Sequence, residues 1–244
     1  MFDVLITIAE KDFNKLRFVV KSIALNVEGF NKIYIVSDKT IPKEFKVDGV
    51  LYFTDDIIDF NFSKINIVNR IGWYKQQFIK LFQDITLDNY LVIDSDAYIN
   101  SPLTVDVEKP SFWFGEDQCH KPYFNLMKNI FELDKCYPYS FINEMMFFKR
   151  DIIVDMVSRT GLTKDGVFDL CVKEINRMNN QSGFSEYELY GNYVTKYYPG
   201  LYDYVYLKVK KIAKQRLWTD EEMAKAIESN KYSRVNIISM HSWI

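Results

Sequence analysis

Short apolar runs alternate with helical patterns along the first part of the chain. The runs at 4–9 and 32–38 have the length and composition of buried strands, and residues 13–27 carry apolar side chains at helical spacing. Residues 70–81 show the same three- and four-residue recurrence and predict a further helix. This alternation predicts an α/β domain with a mostly parallel sheet covered by helices.

The pattern is less regular in the second half. Residues 110–139 are rich in aromatics, lysines and turn formers, and we expect loops and short elements there. Residues 141–149 form an apolar run that predicts a second buried strand, and 236–240 predict a last one. A capping box at 219–222 predicts the start of a helix that continues through Ile227.

Two carboxylates follow the apolar run at 89–93. Asp94 and Asp96 stand one residue apart at the end of this predicted strand. In an open α/β sheet, ligands bind beyond the carboxyl ends of the strands. Carboxylates are the ligands that Mg²⁺ and Mn²⁺ prefer. The pair therefore indicates a site for a metal and a diphosphate, with a solvated acidic turn as the alternative.

One face of the predicted helix at 70–81 is polar. At about 100° per residue, Arg70, Trp73, Gln77 and Lys80 project together. They present a guanidinium, an indole, an amide and an ammonium beside the acidic strand end. We interpret this face as a surface for an anion and for a base or sugar; the alternative is an ordinary solvated face with a partly buried Trp.

Three segments carry a resemblance to a known family. They are Gly-Trp-Tyr-x-Gln-Gln within 70–77, Asp-Ser-Asp at 94–96, and Ser-Glu-Tyr-Glu-Leu-Tyr-Gly within 184–193. In this order and spacing they resemble a group of small glycosyltransferases of the GT-A fold, some encoded by large DNA viruses. The resemblance covers most of the chain and implies one GT-A domain over 1–244, with the fold of nucleotide-diphospho-sugar transferases: α/β, with a mostly parallel central sheet flanked by helices.

The resemblance also implies a chemistry. Enzymes of this fold transfer a sugar from a nucleotide-sugar donor, here a UDP-sugar by preference, to a glycan, glycoprotein or lipid-linked acceptor. Mn²⁺ or Mg²⁺ would clamp the diphosphate through Asp94 and Asp96. Thr7, Ala9 and Lys11 follow the first strand, where the fold receives the base. The other predicted donor-binding residues are Asp38, Arg70, Trp73, Gln77, Lys80, Asp94 and Ser95.

Some of these residues also have ordinary structural interpretations. Asp38 ends the second strand and is predicted to accept hydrogen bonds from a ribose or uracil, with a turn cap as the alternative. Many GT-A enzymes bring a C-terminal His to the metal, so His241 is the predicted third ligand beside Asp94 and Asp96; a surface His is the alternative. The basic stretch at 207–216 could contact anionic lipid or a diphosphate, or form a solvated helix face.

The acceptor side is predicted from fewer residues. Asn143 and Glu144 stand at the entrance of the strand at 141–149 and are expected to face the sugar and acceptor. Glu186 lies among aromatic residues, where partial desolvation would raise its pKa and suit it as a general base in an inverting reaction. Its alternative is a helix N-terminal carboxylate after Ser185. In a retaining enzyme it would instead bind sugar or acceptor hydroxyls, as predicted for Glu188.

Composition excludes several other classes. The 244 residues are 48% hydrophobic and 16% aromatic, enough for one large core. A net charge of −2 gives no electrostatic footprint for nucleic acid. With no signal-peptide pattern and no apolar run of membrane-spanning length, we expect a cytoplasmic protein with at most peripheral membrane contact. The resemblance adds the alternative of a virus-encoded protein that acts in the host cell. Cys119, Cys136 and Cys171 fit reduced thiols rather than a disulfide framework.

Two other functions use the same features. An HAD-like phosphatase also places Asp-x-Asp after an apolar strand, with the first Asp as nucleophile. It fits poorly, because Tyr98 occupies a position where that family has Thr or Val, and the pair does not follow the first strand. A non-catalytic GT-A domain that binds sugar is the other alternative.

Overall fold

The computed structural model describes residues 1–115, 119–179, 182–231 and 233–242. The strands, in chain order, are β1 (Phe2–Ile8), β2 (Val27–Glu28), β3 (Phe30–Ser37), β4 (Val50–Thr54), β5 (Asn89–Ile93), β6 (Ala97–Ile99), β7 (Leu103–Thr104), β8 (Ser111–Phe114), β9 (Met145–Lys149), β10 (Asp203–Tyr206), β11 (Val209–Lys214) and β12 (Ile237–Ser242). The α-helices are α1 (Leu16–Asn26), α2 (Ile71–Phe82), α3 (Lys121–Phe131), α4 (Arg150–Ser158), α5 (Lys164–Met178), α6 (Glu186–Tyr197) and α7 (Asp220–Asn230).

A mixed, mostly parallel sheet forms the centre of the molecule. Its order in the described chain is β4-β3-β1-β5-β9, with β9 antiparallel to β5 and the other pairs parallel. All seven residues of β1 are buried, as expected for a strand with neighbours on both sides and helices on both faces. The prediction of a mostly parallel α/β sheet is therefore confirmed.

A second, three-stranded sheet lies beside the end of β5 in the central sheet. β12 pairs antiparallel with β6, which follows Asp96, and parallel with β11. The backbone N–H of Met240 also donates to the carbonyl of Asp96 at 2.8 Å. This pairing brings the last described strand alongside the Asp-x-Asp turn.

The two longest segments of the family resemblance meet in the core. Tyr74 Oη of α2 accepts a hydrogen bond from the Gly183 N–H at 2.8 Å. The rings of Phe78 and Phe184 stack with centroids 4.8 Å apart. These contacts join α2 to the start of α6.

A glycine allows α6 to approach the loop before β9. A Cβ atom added at Gly191 would lie only 2.3 Å from Cγ of Phe141. The Phe141 ring is fully buried and lies edge-on to Phe112, with centroids 5.0 Å apart. Close packing of the helix against this ring therefore requires a residue without a side chain at 191.

Most predicted elements are present, with shifted ends. The helix predicted over 70–81 is α2, and the capping box at 219–222 opens α7 as expected. The helix predicted over 13–27 begins only at Leu16, because residues Glu10–Lys15 form a 3₁₀ helix. The strand predicted over 141–149 is shorter, and the buried Met145–Lys149 segment forms it.

Two predictions of local structure are wrong. Residues 110–139 contain the strand β8 and the helix α3. The buried side chains of α3 follow helical spacing and are Tyr123, Leu126, Met127 and Phe131. The basic stretch at 207–216 contains the strand β11 and not a helix face. β11 is at the edge of its sheet in the described chain, where lysine side chains reach water without breaking the strand pairing.

Across the described ranges, no helix combines the length and the apolar character that a membrane crossing requires.

Candidate functional site

A cleft of about 890 Å³ opens at the carboxyl ends of the parallel strands. This volume lies within the usual range for small-molecule sites. The predicted site residues that line it are Thr7, Ala9, Lys11, Asp38, Arg70, Trp73, Lys80, Asp94, Ser95, Asp96 and His241. Because β1, β3, β4 and β5 are parallel, the residues after each strand meet at one edge, and this explains the convergence.

The loop after β1 is fixed on both sides. The backbone N–H of Glu10 donates to Asp38 Oδ1, which follows β3, at 3.1 Å. Lys11 Nζ donates to the carbonyl of Ser242 at the end of β12, at 3.1 Å. Asp38 therefore supports the loop after β1, a contact that neither interpretation of this residue had predicted, while it also faces the cleft.

Helix α2 forms the opposite wall. The guanidinium of Arg70 lies 4.5 Å from the centroid of the Trp73 ring, a cation–π distance. Arg70 also donates to Ser182 Oγ at 2.9 Å. Gln76 faces the cleft where Gln77 was predicted, since Trp73, Gln76 and Lys80, at three- and four-residue spacing, are on the side of the helix that lines the cleft.

Lys80 binds two carboxylates at the floor of the cleft. Its Nζ lies 2.8 Å from Asp94 Oδ1 and 2.9 Å from Glu186 Oε1. Tyr187 Oη lies 3.3 Å from the same nitrogen. Burial alone would lower the pKa of Lys80, but the two carboxylates outweigh burial and hold the pKa well above its usual value. Lys80 is therefore a permanent positive charge at this position.

Asp96 and His241 form the second charged pair. His241 Nδ1 lies 3.0 Å from Asp96 Oδ2. Burial would raise the pKa of Asp96, but the hydrogen bond and charge of His241, with a smaller effect of Lys15, lower it instead. The hydrogen bond to Asp96 raises the pKa of His241. Two of the three predicted metal ligands, Asp96 and His241, are thus neighbours, as the pairing of β12 with β6 requires.

A third carboxylate lies behind the Asp-x-Asp turn. The carbonyl of Glu144 accepts a hydrogen bond from the Asp94 N–H at 2.9 Å, and its side chain is 4% exposed. Burial, followed by the charges of Asp94 and Asp96, raises the pKa of Glu144 to about 7. Negative charge is therefore crowded at this end of the cleft, where a cation would relieve it.

The residues present fit a divalent cation by donor type. Carboxylate oxygens with one imidazole nitrogen are suitable ligands for Mn²⁺, and the crowding of Glu144 with Asp94 and Asp96 favours added positive charge. Among the described residues, however, no three His, Cys, Asp or Glu side chains are already arranged to hold a metal. Metal binding would therefore involve a rearrangement of these side chains.

Gln77 and Glu186 lie behind the cleft wall. With its amide nitrogen facing these acceptors, Gln77 donates to Glu186 Oε2 at 2.7 Å and to the Phe184 carbonyl at 2.8 Å. Glu186 is 4% exposed, and burial raises its pKa, a shift that Lys80 limits. The predicted environment of Glu186 is thus found, but the carboxylate faces Lys80 and not the cleft, because Lys80 stands between them.

Glu188 and Asn143 are enclosed by protein. Glu188 is fully buried, and Oε1 accepts hydrogen bonds from Ser140 Oγ at 2.6 Å and from the Phe141 N–H at 3.2 Å. Asn143 is 8% exposed and accepts a hydrogen bond from the Glu144 N–H at 2.9 Å. The position predicted for Glu188, facing a sugar, is corrected: this carboxylate holds the loop before β9 in place.

Sequence reasoning missed several residues of the cleft lining. These are Asp12, Asp55, Asn69, Gln76, Gln215 and Ser242. Asp55 directly follows β4, so the rule that found Asp38 and Asp94 would have found it too. Gln215 and Ser242 follow or end strands of the second sheet, whose pairing no local pattern indicated.

Comparison with known proteins gives a likeness of fold. No protein-family model and no curated protein sequence matches the chain. An active-site mutant of LgtC superposes with a TM-score of 0.50 at 11% identity, over 98% of this chain and 86% of that chain. Galactosyltransferase LgtC in complex with donor and acceptor sugar analogues gives 0.47 at 11% identity, with the same coverage.

Mouse xyloside xylosyltransferase 1 in its apo form gives a TM-score of 0.43 at 10% identity, over 98% of this chain and 97% of that chain. At these identities the likeness concerns the backbone alone. The sheet order, its single antiparallel strand and the superposition at a TM-score of 0.50 together show that this chain has the GT-A type of α/β fold.

Proposed function

We propose that this protein is a metal-dependent glycosyltransferase. It would move a sugar from a nucleotide-sugar, with a UDP-sugar favoured, to a hydroxyl of a glycan, glycoprotein or lipid-linked acceptor. The observation that supports this proposal is the cleft of about 890 Å³ at the carboxyl edge of a GT-A sheet, with Asp94, Asp96, His241 and Lys80 at one end. Solved proteins that resemble it in fold are glycosyltransferases.

The cleft offers separate surfaces for the parts of such a donor. Thr7, Ala9 and Lys11 line the side between β1 and β3 and would bind the nucleoside, with Asp38 accepting hydrogen bonds from it. The Trp73 ring would border the sugar. Arg70 and Lys80 would bind the diphosphate, because both cations face the same cleft. The backbone after β5, at Ser95, would lie beside the phosphates.

Asp94, Asp96 and His241 would hold Mn²⁺ or Mg²⁺. When bound, such an ion supplies positive charge that stabilises a diphosphate leaving group. Lys80 would supply a fixed positive charge from the protein itself, since its pKa is held well above the usual value. A positive charge that is already in place stabilises the negative charge that develops on the leaving group, and the protein does not have to rearrange during the reaction.

We assign Glu186 a positioning role in place of the predicted general base. Its carboxylate lies 2.9 Å from Lys80 Nζ and is held from the other side by Gln77 at 2.7 Å. A group enclosed in this way orients the ammonium toward Asp94 and the cleft. It has no path to an acceptor hydroxyl while Lys80 lies between them.

A thermal-shift panel tests the proposal. UDP-, GDP-, CMP- and dTDP-linked sugars are each added with Mn²⁺ and with EDTA. A ligand at a hundredfold excess over its Kd stabilises the folded state by about 2.7 kcal/mol, so a true donor is visible. We expect a Mn²⁺-dependent shift with one nucleotide class, lost in Asp96→Ala and kept in Asp169→Ala, which removes an exposed carboxylate paired with Lys64.

Two outcomes would contradict this function. If no nucleotide-sugar shifts the melting temperature, the proposed donor site is wrong. If the shift is equal in EDTA, donor binding does not depend on a metal. A donor-binding protein that neither transfers the sugar nor hydrolyses the donor would be the non-catalytic alternative. The HAD-like phosphatase is not favoured, because β5 comes fourth in the chain among the strands of the central sheet and the fold is of the GT-A type.

A further inference from the structure

A group of aromatic rings is exposed next to the proposed active site. It consists of Phe114, Tyr137, Tyr139, Tyr204 and Tyr206, and we call it the aromatic patch. Tyr139 is 46% exposed, Tyr204 36% and Tyr206 52%. Large aromatic side chains usually dominate cores and interfaces, so a contiguous exposed set marks a binding surface more often than chance.

The rings of the aromatic patch are packed against one another. Phe114 stacks on Tyr139 with centroids 5.0 Å apart and 22° between planes, and Tyr137 stacks on Tyr204 at 4.3 Å and 21°. Tyr206 lies edge-on to Phe114 at 5.8 Å. Because each ring supports a neighbour, the exposed faces are held in place before any ligand arrives, which lowers the entropy lost on binding.

The aromatic patch lies at the same edge of the molecule as the cleft. The Gly115 N–H, directly after β8, donates to the Ser140 carbonyl at 3.3 Å, so the carboxyl end of β8 meets the segment before β9. That segment leads to Glu144, whose carbonyl accepts from the Asp94 N–H at 2.9 Å. Glu144 follows Tyr139 by five positions in the chain, a separation that spans at most about 18 Å.

The aromatic patch lies beyond β9, the strand that follows β5 in the central sheet. The donor cleft covers the ends of β4, β3, β1 and β5, and β9 follows β5 in the sheet. β8 contacts β9, and β10 pairs with β8 in parallel, with Tyr206 opposite Phe114. A ligand on the patch would therefore lie beyond the β5 end of the cleft, on the side of Asp94.

We propose that the aromatic patch binds a neutral saccharide and so identifies the acceptor as a glycan; this rests on the proposed transferase function. The apolar C–H face of a sugar ring packs on an aromatic face, and the tyrosine hydroxyls meet the sugar hydroxyls at the ring edge. The five patch side chains carry no formal charge at neutral pH, which matches an uncharged glycan.

Anionic lipid is the less favoured occupant. Two of the three lysines of the neighbouring strand β11 are engaged by protein groups: Lys210 donates to Asn230 at 3.0 Å, and Lys214 pairs with Glu222 at 2.6 Å. Lys211 lies 4.0 Å from Glu144. A surface that attracts acidic headgroups would need these charges directed outward.

The test compares the wild type with a Tyr139→Ala/Tyr206→Ala double variant. The probes are immobilised cello-, chito-, malto- and manno-hexasaccharides, offered without any donor, and vesicles of phosphatidylcholine with phosphatidylserine. We expect the wild type to bind at least one saccharide series. The double variant should bind the same series with an affinity at least about tenfold lower. Leu25→Ala, which trims a 66% exposed side chain on α1, should leave binding unchanged.

Two results would overturn the assignment: no binding to any hexasaccharide, or equal binding by the wild type and the double variant. If the wild type binds no saccharide but binds vesicles, and the double variant loses that binding, the patch is a lipid site instead. If the double variant unfolds, Tyr206→Ala alone, at the most exposed ring, replaces it. The nucleotide-sugar shift is measured separately on the same proteins. Saccharide binding without that shift would refute the transferase, whereas the shift without saccharide binding would refute only the patch.

Discussion

Replacement of Gly191 by Ala should destabilise the protein, although Ala is the better helix former. Ala gains about 1 kcal/mol over Gly in a helix interior. The added Cβ would lie 2.3 Å from Cγ and 2.5 Å from both Cδ atoms of Phe141. Because ordinary contacts of this kind begin near 3.4 Å, helix or ring must move by roughly 1 Å.

The ring has little space in which to move. Phe141 is fully buried, with Phe112 at 5.0 Å and Tyr137 at 5.3 Å between centroids. Overpacking of a well-filled core costs about 1–3 kcal/mol, and this contact is severe enough for the upper end. After subtraction of the helix-propensity gain, we expect a net loss of about 2 kcal/mol. For a chain of this length the melting temperature should fall by about 4–8 °C.

The assay is urea unfolding followed by circular dichroism. Gly72→Ala is the matched control: it lies in the first turn of α2, and a Cβ there meets nothing within 4 Å. Its stability should be unchanged or up to about 1 kcal/mol higher. Phe141→Leu should recover part of the loss in the Gly191→Ala background but destabilise the wild type. A Gly191→Ala protein as stable as the wild type would refute the packing argument.

Three further perturbations test other parts of the structure. A hydrogen bond from Tyr193 lowers the pKa of Asp155 in the folded protein. The ionised carboxylate therefore stabilises the folded state fully above the unfolded-state pKa near 3.8, and this stabilisation is lost as the pH falls through the lower folded-state pKa. The unfolding free energy of Asp155→Asn, measured against pH, should therefore lie about 1 kcal/mol below that of the wild type at neutral pH, since water screens a carboxylate that is 30% exposed, and the difference should close as the pH falls below about 4; a constant difference would contradict this. Glu188→Gln places an amide nitrogen against the Asn192 nitrogen that now donates to Glu188 Oε2 at 3.1 Å, and should cost about 1–3 kcal/mol in urea unfolding, whereas a neutral effect would show that the pocket rearranges. Lys80→Met leaves two carboxylates without their cation and should cost about 3–5 kcal/mol; added Glu186→Gln should restore part of that loss, and strict additivity in this double-mutant cycle would refute the pairing.

The sheet and its acidic edge were predictable because their signals are local. β5 reads as an apolar run and ends directly at Asp94, and β3 ends before Asp38 in the same way. Parallel order then brings these ends together without knowledge of any distant contact. His241 was found through resemblance, and the pairing of β12 with β6 accounts for its place.

The roles of individual polar residues were harder to predict, because burial depends on distant partners. Gln76 and Gln77 are adjacent amides, yet Gln76 lines the cleft while Gln77 is buried against Glu186 and the Phe184 carbonyl. Glu188 is enclosed by Ser140, which is 48 positions away in the chain. The many lysines at 207–216 suggested a solvated helix face, but residues Val209–Lys214 form the strand β11, which pairs with β12.

The contact between Lys11 and Ser242 also affects how the protein acquires its site. These residues are 231 positions apart, yet both line the same cleft. Contacts of such long range form late and slow the folding of a domain. A nascent chain that still lacks β12 on the ribosome has neither His241 nor the clamp on the loop after β1. Ligand-binding competence should therefore appear only after synthesis of β12, so the order of translation separates folding of the central sheet from completion of the cleft.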